Sequence, residues 1–386
     1  MSGTTASPLP GTIVCALLLG RRKSFDVLVR FKGYGAAQML CRWFSGLLWM
    51  LIAGAMVTAT SAVANTTGRL GNGRQLDSSQ TPTSESLAHY KQMAQLSMQR
   101  ENYDQAADWA NRYLKDGGGD VEMRALLATS YYLGKSFENA ARALQMEVLA
   151  SERSGQAPSE VHLQWLLDCY ERLGDSNGAL WVLERLVIHH PKKSYWAGLL
   201  TLWQKRLGPD HRLTLDFMRL REATGSMTSA DDYVQMANLA LRAGSAIEAK
   251  KAVEEGFSAR LLGVGVAAES HRLLRERVLR QYAEERVLLS QPEWEVNAIA
   301  TKNGMMLVNS GLALVMQGAH AKGLALMEQG IRIGVPNAPQ DAKLRLAIGY
   351  LSAGQRARAI DLLRTITGRG GAADLARLWE WYARQS

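Results

Sequence analysis

From Leu87 to the C-terminus, apolar residues recur every three or four positions, with polar residues between them. This spacing places the apolar side chains on one face of a helix. Short segments that contain glycine separate the periodic stretches and are typical of turns between helices. Strict alternation of apolar and polar residues, the signal for strands, is almost absent here. The pattern therefore predicts an all-α protein.

The helical pattern repeats along the chain. The segment ENYDQAA at 101–107 aligns with KSFENAA at 135–141, which gives an offset of 34 residues. Later turns carry a residue at the same place, with successive offsets of 34, 39, 34, 36, 74 and 36. The 39-residue step contains an expected loop insertion, and the 74-residue step predicts one degenerate repeat. The aligned residues are Ala106, Ala140, Ala179, Leu213, Ala249, Gly323 and Ala359.

A second small position accompanies the first. When the aligned residue is counted as position 20, position 8 is Ala94, Ala128, Ala237, Gly311 and Ala347. With its period of about 34 residues, the chain resembles the tetratricopeptide repeat (TPR) family. The resemblance implies an all-α, TPR-type helical-hairpin solenoid over 87–386, with about seven to eight repeats. The final segment ADLARLWEWYARQS has no successor and is predicted to be the capping helix.

The pattern breaks at two further places. The fourth repeat has Thr201 at position 8 and Leu213 at position 20, so its two helices should pack loosely. Residues 266–290 contain no glycine turn. They form either one long helix or a degenerate repeat, and the sequence leaves both open.

The strongest signal near the N-terminus is an apolar run, WFSGLLWMLIAGAMV at 43–57, that follows Arg42 and precedes Ala62-Val63-Ala64. This order predicts a signal peptide at 39–64 and a periplasmic protein. The alternative is an inner-membrane anchor at 43–60. Residues 1–38 read as an upstream extension or a long n-region. Residues 65–86, rich in Ser, Thr, Asn and Gly, are predicted to be a flexible linker.

Removal of the predicted signal peptide and the residues before it would lower the net charge of the chain. The chain has 45 Lys and Arg against 36 Asp and Glu, or +9. Residues 1–64 contain six of the basic and one of the acidic residues, so the remainder carries 39 − 35 = +4. A small excess spread over a long chain is poor support for nucleic-acid binding. The remainder keeps one cysteine, Cys169, at an apolar helical position, where a buried inert thiol is expected.

Catalytic motifs are missing from the sequence. No HExxH, GxSxG or zinc-type cysteine pair occurs. Gly263-Val264-Gly265 lacks a preceding strand and the third glycine of a nucleotide-binding loop. His189-His190 ends a predicted helix, where it complements the helix dipole. The carboxylate clamp of chaperone-binding TPR proteins fits at Lys91 but at no other required position. We therefore predict no catalytic residue, cofactor or metal, and a non-enzymatic protein.

In TPR arrays the concave groove is built from positions 2, 5, 9, 12 and 13 of each first helix. In repeats one to five these positions are mostly polar, and a purely structural repeat should not need polar groups there. We therefore predict a protein-binding groove, with a solvated face that binds nothing as the alternative. The predicted groove residues are Lys91, Gln95, Thr129, Tyr132, Gln164, Asp168, Arg172, Lys205, Asn238 and Arg242.

The last two repeats are apolar at the same positions. Their side chains form either local core, covered by residues 266–290, or a slot for a partner helix. The residues of this predicted apolar groove are Leu312, Val315, Leu344, Ile348 and Leu351.

A narrower resemblance rests on HHPKKSYWAGLLTLW, YVQMANLALRAGSAIEAKKAVEEGF and KLRLAIGYLSAGQRARAIDLLR, in that order. These segments resemble secreted TPR proteins of Gram-negative bacteria, often encoded beside TonB energy-transduction components. The resemblance implies an envelope scaffold that binds a protein or peptide of a TonB-type complex. One alternative is an assembly or scaffold factor for polysaccharide export or pilus biogenesis. Another is a glycan-processing enzyme, which a carboxylate pair grouped in the groove would favour.

Overall fold

The structure is a computed structural model that describes residues 84–207, 212–368 and 371–386. The predicted extension 1–38 and signal peptide 39–64 lie outside the described residues, as does most of the predicted linker. The first helix begins at Ser84, three residues before the predicted start of the solenoid. Across these three described stretches, no helix combines the length and apolarity needed to cross a membrane.

Seventeen helices and no strand occupy the described residues, in agreement with the predicted all-α class. Most follow one another through turns of a few residues. Their bounds are α1 Ser84–Gln99, α2 Tyr103–Lys115, α3 Val121–Leu133, α4 Phe137–Arg153, α5 Glu160–Leu173, α6 Ser176–His189, α7 Lys193–Leu207, α8 Thr214–Ala223, α9 Ala230–Arg242, α10 Ala246–Ser258, α11 Ala268–Ser290, α12 Glu293–Ala300, α13 Gly304–Met316, α14 His320–Ile333, α15 Pro339–Ser352, α16 Arg356–Arg364 and α17 Ala372–Gln385.

Consecutive helices pair as hairpins, from α1 with α2 to α15 with α16, except that α11 and α12 barely contact one another, and each pair packs on the next along most of the chain. Counted with α11 and α12 as the sixth, this gives eight helix pairs among the described residues, followed by α17, which packs on α15 and α16. Leu375, Leu378 and Trp379 of α17 are buried, as a capping helix requires. The predicted TPR-type hairpin array is confirmed.

Local chemistry explains where the hairpins turn. The side chains of Asn102 and Asp175 accept hydrogen bonds from backbone N–H groups in the first turns of α2 and α6. Such caps satisfy donors that have no partner inside the helix. Each of these tight turns also needs one residue with positive φ, which Gly174 supplies before α6, with φ at 70°. In the first two hairpins a non-glycine residue takes this conformation, Glu101 and Lys135.

The two small positions of the repeat lie where the helices of a hairpin cross. Ala106, Ala128 and Ala140 are fully buried, and so are their counterparts Ala237 and Ala359 in later hairpins. Short side chains let the two helix axes approach closely. The repeat register read from the sequence is therefore correct for most hairpins.

The fourth hairpin departs from the register. The period predicts that Leu213 lies inside its second helix, but α8 starts one residue later, at Thr214. α7 and α8 also contact one another over a much smaller part of their length than the helices of most other hairpins. The prediction of loose packing at this hairpin is confirmed.

The degenerate sixth repeat is built from unequal helices. Residues 268–290 form one helix of 23 residues, α11, so the long-helix alternative is correct. The helix that follows, α12, has only 8 residues. A short second helix cannot cover the length of a long first one.

The apolar core does not simply follow chain order. One continuous buried cluster runs from Ala128 in α3 to Trp379 in α17 and includes Cys169, whose thiol is fully buried as predicted. Burial raises the pKa of that thiol to about 12. At the far end of the chain, Gln385 Nε2 donates a hydrogen bond of 2.7 Å to the Val187 carbonyl. The last helix therefore lies against α6, near the middle of the array.

Candidate functional site

All ten predicted polar groove residues lie on the first helix of one of the first five hairpins. Two are on α1, two on α3, three on α5, one on α7 and two on α9. Every one is half-buried or exposed, and none is buried. We call these ten residues the polar face. Its role in binding stays a prediction. The geometry shows which of its side chains are already bonded within the chain and which could still bond a partner.

A ladder of side chains joins α3 to α5 across the polar face. Tyr132 donates its hydroxyl hydrogen to Asp168 Oδ2 at 3.1 Å, and Arg172 Nε donates to the same oxygen at 2.8 Å. The Tyr132 ring also stacks on Trp165, with ring centroids 5.0 Å apart. Burial, and then the nearby Asp168 carboxylate, raises the pKa of Tyr132 to about 12, so the hydroxyl stays protonated. These contacts fix one hairpin to the next.

A second set of bonds joins α5 to α7. Gln164 Nε2 donates to the Tyr195 hydroxyl at 2.6 Å. The Glu160 carboxylate accepts from Tyr195 and from Lys192. Burial and the bond to Glu160 raise the pKa of Tyr195 to about 12. Gln164 therefore serves as a connector between hairpins three and four.

The ends of the polar face are joined in the same manner. Lys91 Nζ on α1 lies 2.9 Å from a carboxylate oxygen of both Asp120 and Glu122, at the start of the next hairpin. Asn238 on α9 accepts a hydrogen bond from Arg277 on α11. The expectation that a structural repeat needs no polar groups at these positions is therefore wrong. These bonds between hairpins could not be predicted from the sequence, because each joins residues some 30–40 positions apart.

The other four residues of the polar face make no side-chain bond to another described helix. Gln95, Lys205 and Arg242 make no side-chain hydrogen bond or ion pair to any other described residue, whereas Thr129 bonds the Ala125 carbonyl of its own helix. Lys205 and Arg242 are also exposed. The free charge of the polar face is thus positive and lies on α7 and α9.

The residues of the predicted apolar groove, in contrast, are mostly buried. Leu312, Val315, Leu344 and Ile348 are buried, at 3% exposure or less, and Leu351 is half-buried. They form part of the same buried cluster as the apolar residues of α8. The prediction of an open slot is therefore wrong, and the local-core alternative is correct. The cover is not residues 266–290, because α11 packs on α9 and α10.

The middle of the array is linked to α15 by charged side chains. Eight of the ten residues of α8 are buried, so this helix is enclosed on all sides. One ion pair joins α8 to α15, since Arg345 Nη2 lies 3.1 Å from Asp216. A second joins the residues just before α8 to α15, since Arg212 Nε lies 2.8 Å from Asp341. The Asp216–Arg345 pair places α8 beside α15, the helix that carries Leu344 and Ile348.

A buried charge network anchors this contact. Asp216 is fully buried and pairs with both Arg219 and Arg345. Arg219 also bonds both oxygens of Glu248 at 2.7 Å. Burial raises the pKa of Asp216, but the two guanidinium groups outweigh it and hold the pKa below its ordinary value. Two cations and two anions thus compensate one another across α8, α10 and α15.

No motif in the sequence indicates this network. Its one local signal is that Asp216 and Arg219 stand among the apolar residues of α8, which has no polar face of its own. Charged residues that are interspersed with apolar ones, instead of gathered on one polar face, are expected to become buried and to need a partner.

The chemistry of the face is that of recognition groups: hydroxyl, amide, carboxylate and guanidinium. Over the described residues, no group of three or more His, Cys, Asp or Glu side chains is placed to hold a metal ion. The carboxylates Asp168 and Glu160 are each occupied by cationic or hydroxyl partners from their own or an adjacent hairpin.

No protein-family model matches the chain. No curated protein matches it either.

Solved structures similar to the chain include TPR proteins. The TPR2AB domain of yeast Sti1, in a pHSP90 complex, is 13% identical, covers 78% of this chain and 100% of its own, and gives a TM-score of 0.25. A tetratricopeptide repeat protein from Parabacteroides merdae is 12% identical, with 76% and 99% covered and a TM-score of 0.27. Yeast Tom70 is 11% identical, with 78% and 88% covered and a TM-score of 0.18.

TM-scores this low carry no weight, so the fold assignment rests on the hairpins, turns and crossing residues of the chain itself. The described residues form an all-α, TPR-type array of helical hairpins.

Proposed function

We propose that the chain is a non-enzymatic scaffold of the bacterial envelope that binds a protein or peptide on the polar face of hairpins one to five. The observation that carries this proposal is the pair Lys205 and Arg242. Both cations are exposed and have no partner among the described residues. They sit on helices, where loop ordering costs nothing on binding.

The ladder between hairpins supports the proposal indirectly. Tyr132, Asp168 and Gln164 are held by bonds to neighbouring hairpins, so the surface around the free cations is rigid. A rigid, mixed polar surface can bond the backbone of an extended segment and pair with its acidic side chains. We therefore expect the bound segment to carry acidic residues opposite α7 and α9.

The compartment and the complex are the finer part of the proposal. The signal pattern at 39–64 supports export to the periplasm, and the resemblance of the three longer segments supports a partner in a TonB-type complex. Cleavage after Ala64 predicts a mature protein that begins at Asn65. N-terminal sequencing of periplasmic protein tests this, and membrane-retained protein that still contains residues 43–60 would mean an anchor.

Site-specific photo-crosslinking in the host cell tests the binding surface. A photoreactive phenylalanine analogue placed at Lys205 or Arg242 should form a discrete adduct with one envelope protein. The same analogue at Met146, an exposed residue on the second helix of hairpin two, is the matched control and should not. Adducts that are identical at all three positions, or absent at the first two, would contradict the proposed surface.

A charge test follows. The double variant Lys205→Glu with Arg242→Glu should fold like the wild type, because both side chains are exposed and unpaired in the described part of the chain. It should also lose the adduct formed from a third probe at Gln95. An adduct that persists unchanged would show that the two cations play no part in recognition.

A further inference from the structure

Helix α7, which carries the free cation Lys205, receives little support from its own hairpin. Its contact with α8 is short, whereas it packs along α6 of the preceding hairpin. Four of its apolar side chains are nevertheless buried, namely Trp196, Leu199, Leu200 and Trp203. Helices other than α8 must therefore help to hold α7 in place.

The last helix, α17, supplies part of this support through Gln385. The side-chain Nε2 of Gln385 donates a hydrogen bond of 2.7 Å to the Val187 carbonyl, near the end of α6. Its Oε1 accepts a hydrogen bond of 3.4 Å from Trp196 Nε1, near the start of α7. One amide of α17 thus ties together the two helices that meet at the junction of hairpins three and four.

The bond to Val187 has a cause in the sequence. Inside a helix the carbonyl of Val187 would accept a hydrogen bond from the N–H four residues later. That residue is Pro191, which has no N–H to donate. Because Val187 is fully buried, its carbonyl needs another donor, and Gln385 provides it. The end of α6 therefore favours the docked position of α17.

A second contact fixes α17 further along its length. Arg377, about two turns before Gln385, lies with its Nη2 3.3 Å from Glu184 Oε1 on α6. Between these two points, Leu378 and Trp379 are buried in the same apolar cluster as the buried residues of α7. Polar bonds at two places and apolar burial between them give α17 one defined position against α6 and α7.

The start of α7 is also bonded to the polar face. Tyr195, the neighbour of Trp196, accepts a hydrogen bond of 2.6 Å from Gln164 on α5 and donates to the Glu160 carboxylate. Adjacent residues of a helix point about 100° apart. Tyr195 and Trp196 therefore hold the same turn of α7 from two directions, one towards the polar face and the other towards α17.

We propose that α17 is a clasp that positions α7 for partner binding, with Gln385 as the positioning residue. This inference rests on the proposed function, since it assigns control of the polar face at Lys205 to α17. With the clasp closed, α7 is fixed against α5 and α6. With the clasp open, α7 loses support that α8 does not replace, and ordering the surface again on binding costs affinity.

Hydrogen exchange of the full chain tests the clasp without a partner. Gln385→Met keeps the length of the side chain and removes both bonds, so the amides of α7 should exchange about tenfold faster. Gln385→Glu keeps the acceptor for Trp196 but cannot donate to Val187 when ionised, so it should act in the same direction. Arg384→Met is the matched control. The Arg384 side chain pairs with Glu380 of its own helix at 2.6 Å, so α7 should keep the wild-type exchange rate.

A destabilised control separates positioning from a general loss of stability. Ala106→Leu overpacks the buried crossing of the first hairpin and should lower the temperature of unfolding. It should leave exchange in α7 unchanged, because repeats of an array contact only their neighbours. Faster exchange in α7 with Ala106→Leu as well as with Gln385→Met would mean that α17 has no specific hold on α7.

The photoreactive probe at Lys205 tests the link to binding. Its adduct should fall about threefold or more in Gln385→Met and stay at the wild-type level in Arg384→Met. Wild-type exchange of α7 in Gln385→Met, or faster exchange with an unchanged adduct, would overturn the proposal. If the wild type forms no adduct at Lys205 or Arg242, the proposed function fails and the role of the clasp in binding fails with it, while the exchange rates still decide whether α17 holds α7.

Discussion

The first five hairpins and the last two carry the same repeat positions with opposite outcomes. In the first group the groove positions hold Gln164, Lys205 and Arg242, and these are exposed. In the last two hairpins the equivalent positions include Leu312 and Leu344, which are buried. Repeat position sets the direction of a side chain, but it does not determine what lies in front of it. The apolar side chains belong to the buried core of the chain, and the polar surface is left to solvent or a partner.

The two regions also differ in how their helices cross. The early hairpins cross at alanines, such as Ala106 and Ala140. The seventh crosses at glycines, because a Cβ on Gly311 would come within 2.6 Å of the Gly323 carbonyl oxygen. Because α13 and α14 cross more closely than the early hairpins, they pack more tightly and leave no room for added atoms.

The largest expected effect comes from the network that ties the two regions together. Arg345→Met leaves Asp216 and Glu248 with Arg219 as their one close cation, so the buried cluster carries a net negative charge. Loss of one member of a buried ion group costs about 3–5 kcal/mol. Denaturant unfolding should show this loss. Arg356→Met, on the exposed side of α16, is the control and should change stability little. Equal stability of both variants would mean that the regions are held by apolar contacts alone.

The glycine crossing gives the next effect. Gly311→Ala pushes a methyl group against backbone, which cannot move aside, and should destabilise the seventh hairpin by about 1–3 kcal/mol. Gly198→Ala in α7 is the matched control. Its new Cβ would lie 3.2 Å from the flexible end of Leu183, and helix propensity favours alanine by about 1 kcal/mol. Thermal unfolding of the two variants should therefore shift in opposite directions, and a shift in the same direction would contradict the crossing geometry.

Part of the fold could be predicted from the sequence and part could not. The hairpin order, the turns and the alanines at positions 8 and 20 follow from local periodicity, and the structure agrees with them at Ala128 and Ala140. The fourth hairpin could not be predicted as well, because Leu213 matches the period while α8 starts after it. The long helix α11 was left open by the sequence, since a missing glycine turn does not say whether a helix continues.

The site was predictable only in part. Helical spacing placed the polar face on the first helices, but it gave no information on partners between hairpins, such as Tyr132 with Asp168. The burial of the apolar groove could not be predicted from the sequence for the same reason. Arg345 and Asp216 are 129 residues apart, and no local pattern specifies a contact at that separation.

A pH effect of intermediate size is expected at the junction of the two regions. Burial raises the pKa of Glu285 to about 7, and Glu248 adds to this, against the bonds from the N–H groups at the start of α10. The protonated carboxyl is thus favoured in the folded state. Its stabilisation is complete below the ordinary pKa of about 4.5 and is lost as pH rises through about 7.

Glu285→Gln isolates this contribution, because the amide oxygen can still accept the bond from Ile247. The variant should exceed the wild type in stability by about 1 kcal/mol at pH 8, after allowance for solvent screening. The advantage should shrink as pH falls towards 5. Urea unfolding at several pH values measures it, and an advantage that is constant with pH would rule out titration of Glu285 as the cause.

The smallest expected effect compares two turns that have the same geometry and different residues. Lys135 turns into α4 with φ at 60°, and Gly354 turns into α16 with φ at 75°. A side chain in this conformation costs about 1–2 kcal/mol, and a glycine loses about 0.4–1 kcal/mol more through the unfolded chain. Lys135→Gly should therefore stabilise the second hairpin by about 0.5–1 kcal/mol. Gly354→Lys should destabilise the eighth by a similar amount, because nothing lies within 4 Å of its new Cβ and backbone strain alone acts. Thermal unfolding of the two variants should give shifts of opposite sign and similar size. A much larger loss at Gly354 would mean that the C-terminal turn is constrained by more than its φ angle, and the two regions would then differ in their turns as well as in their grooves.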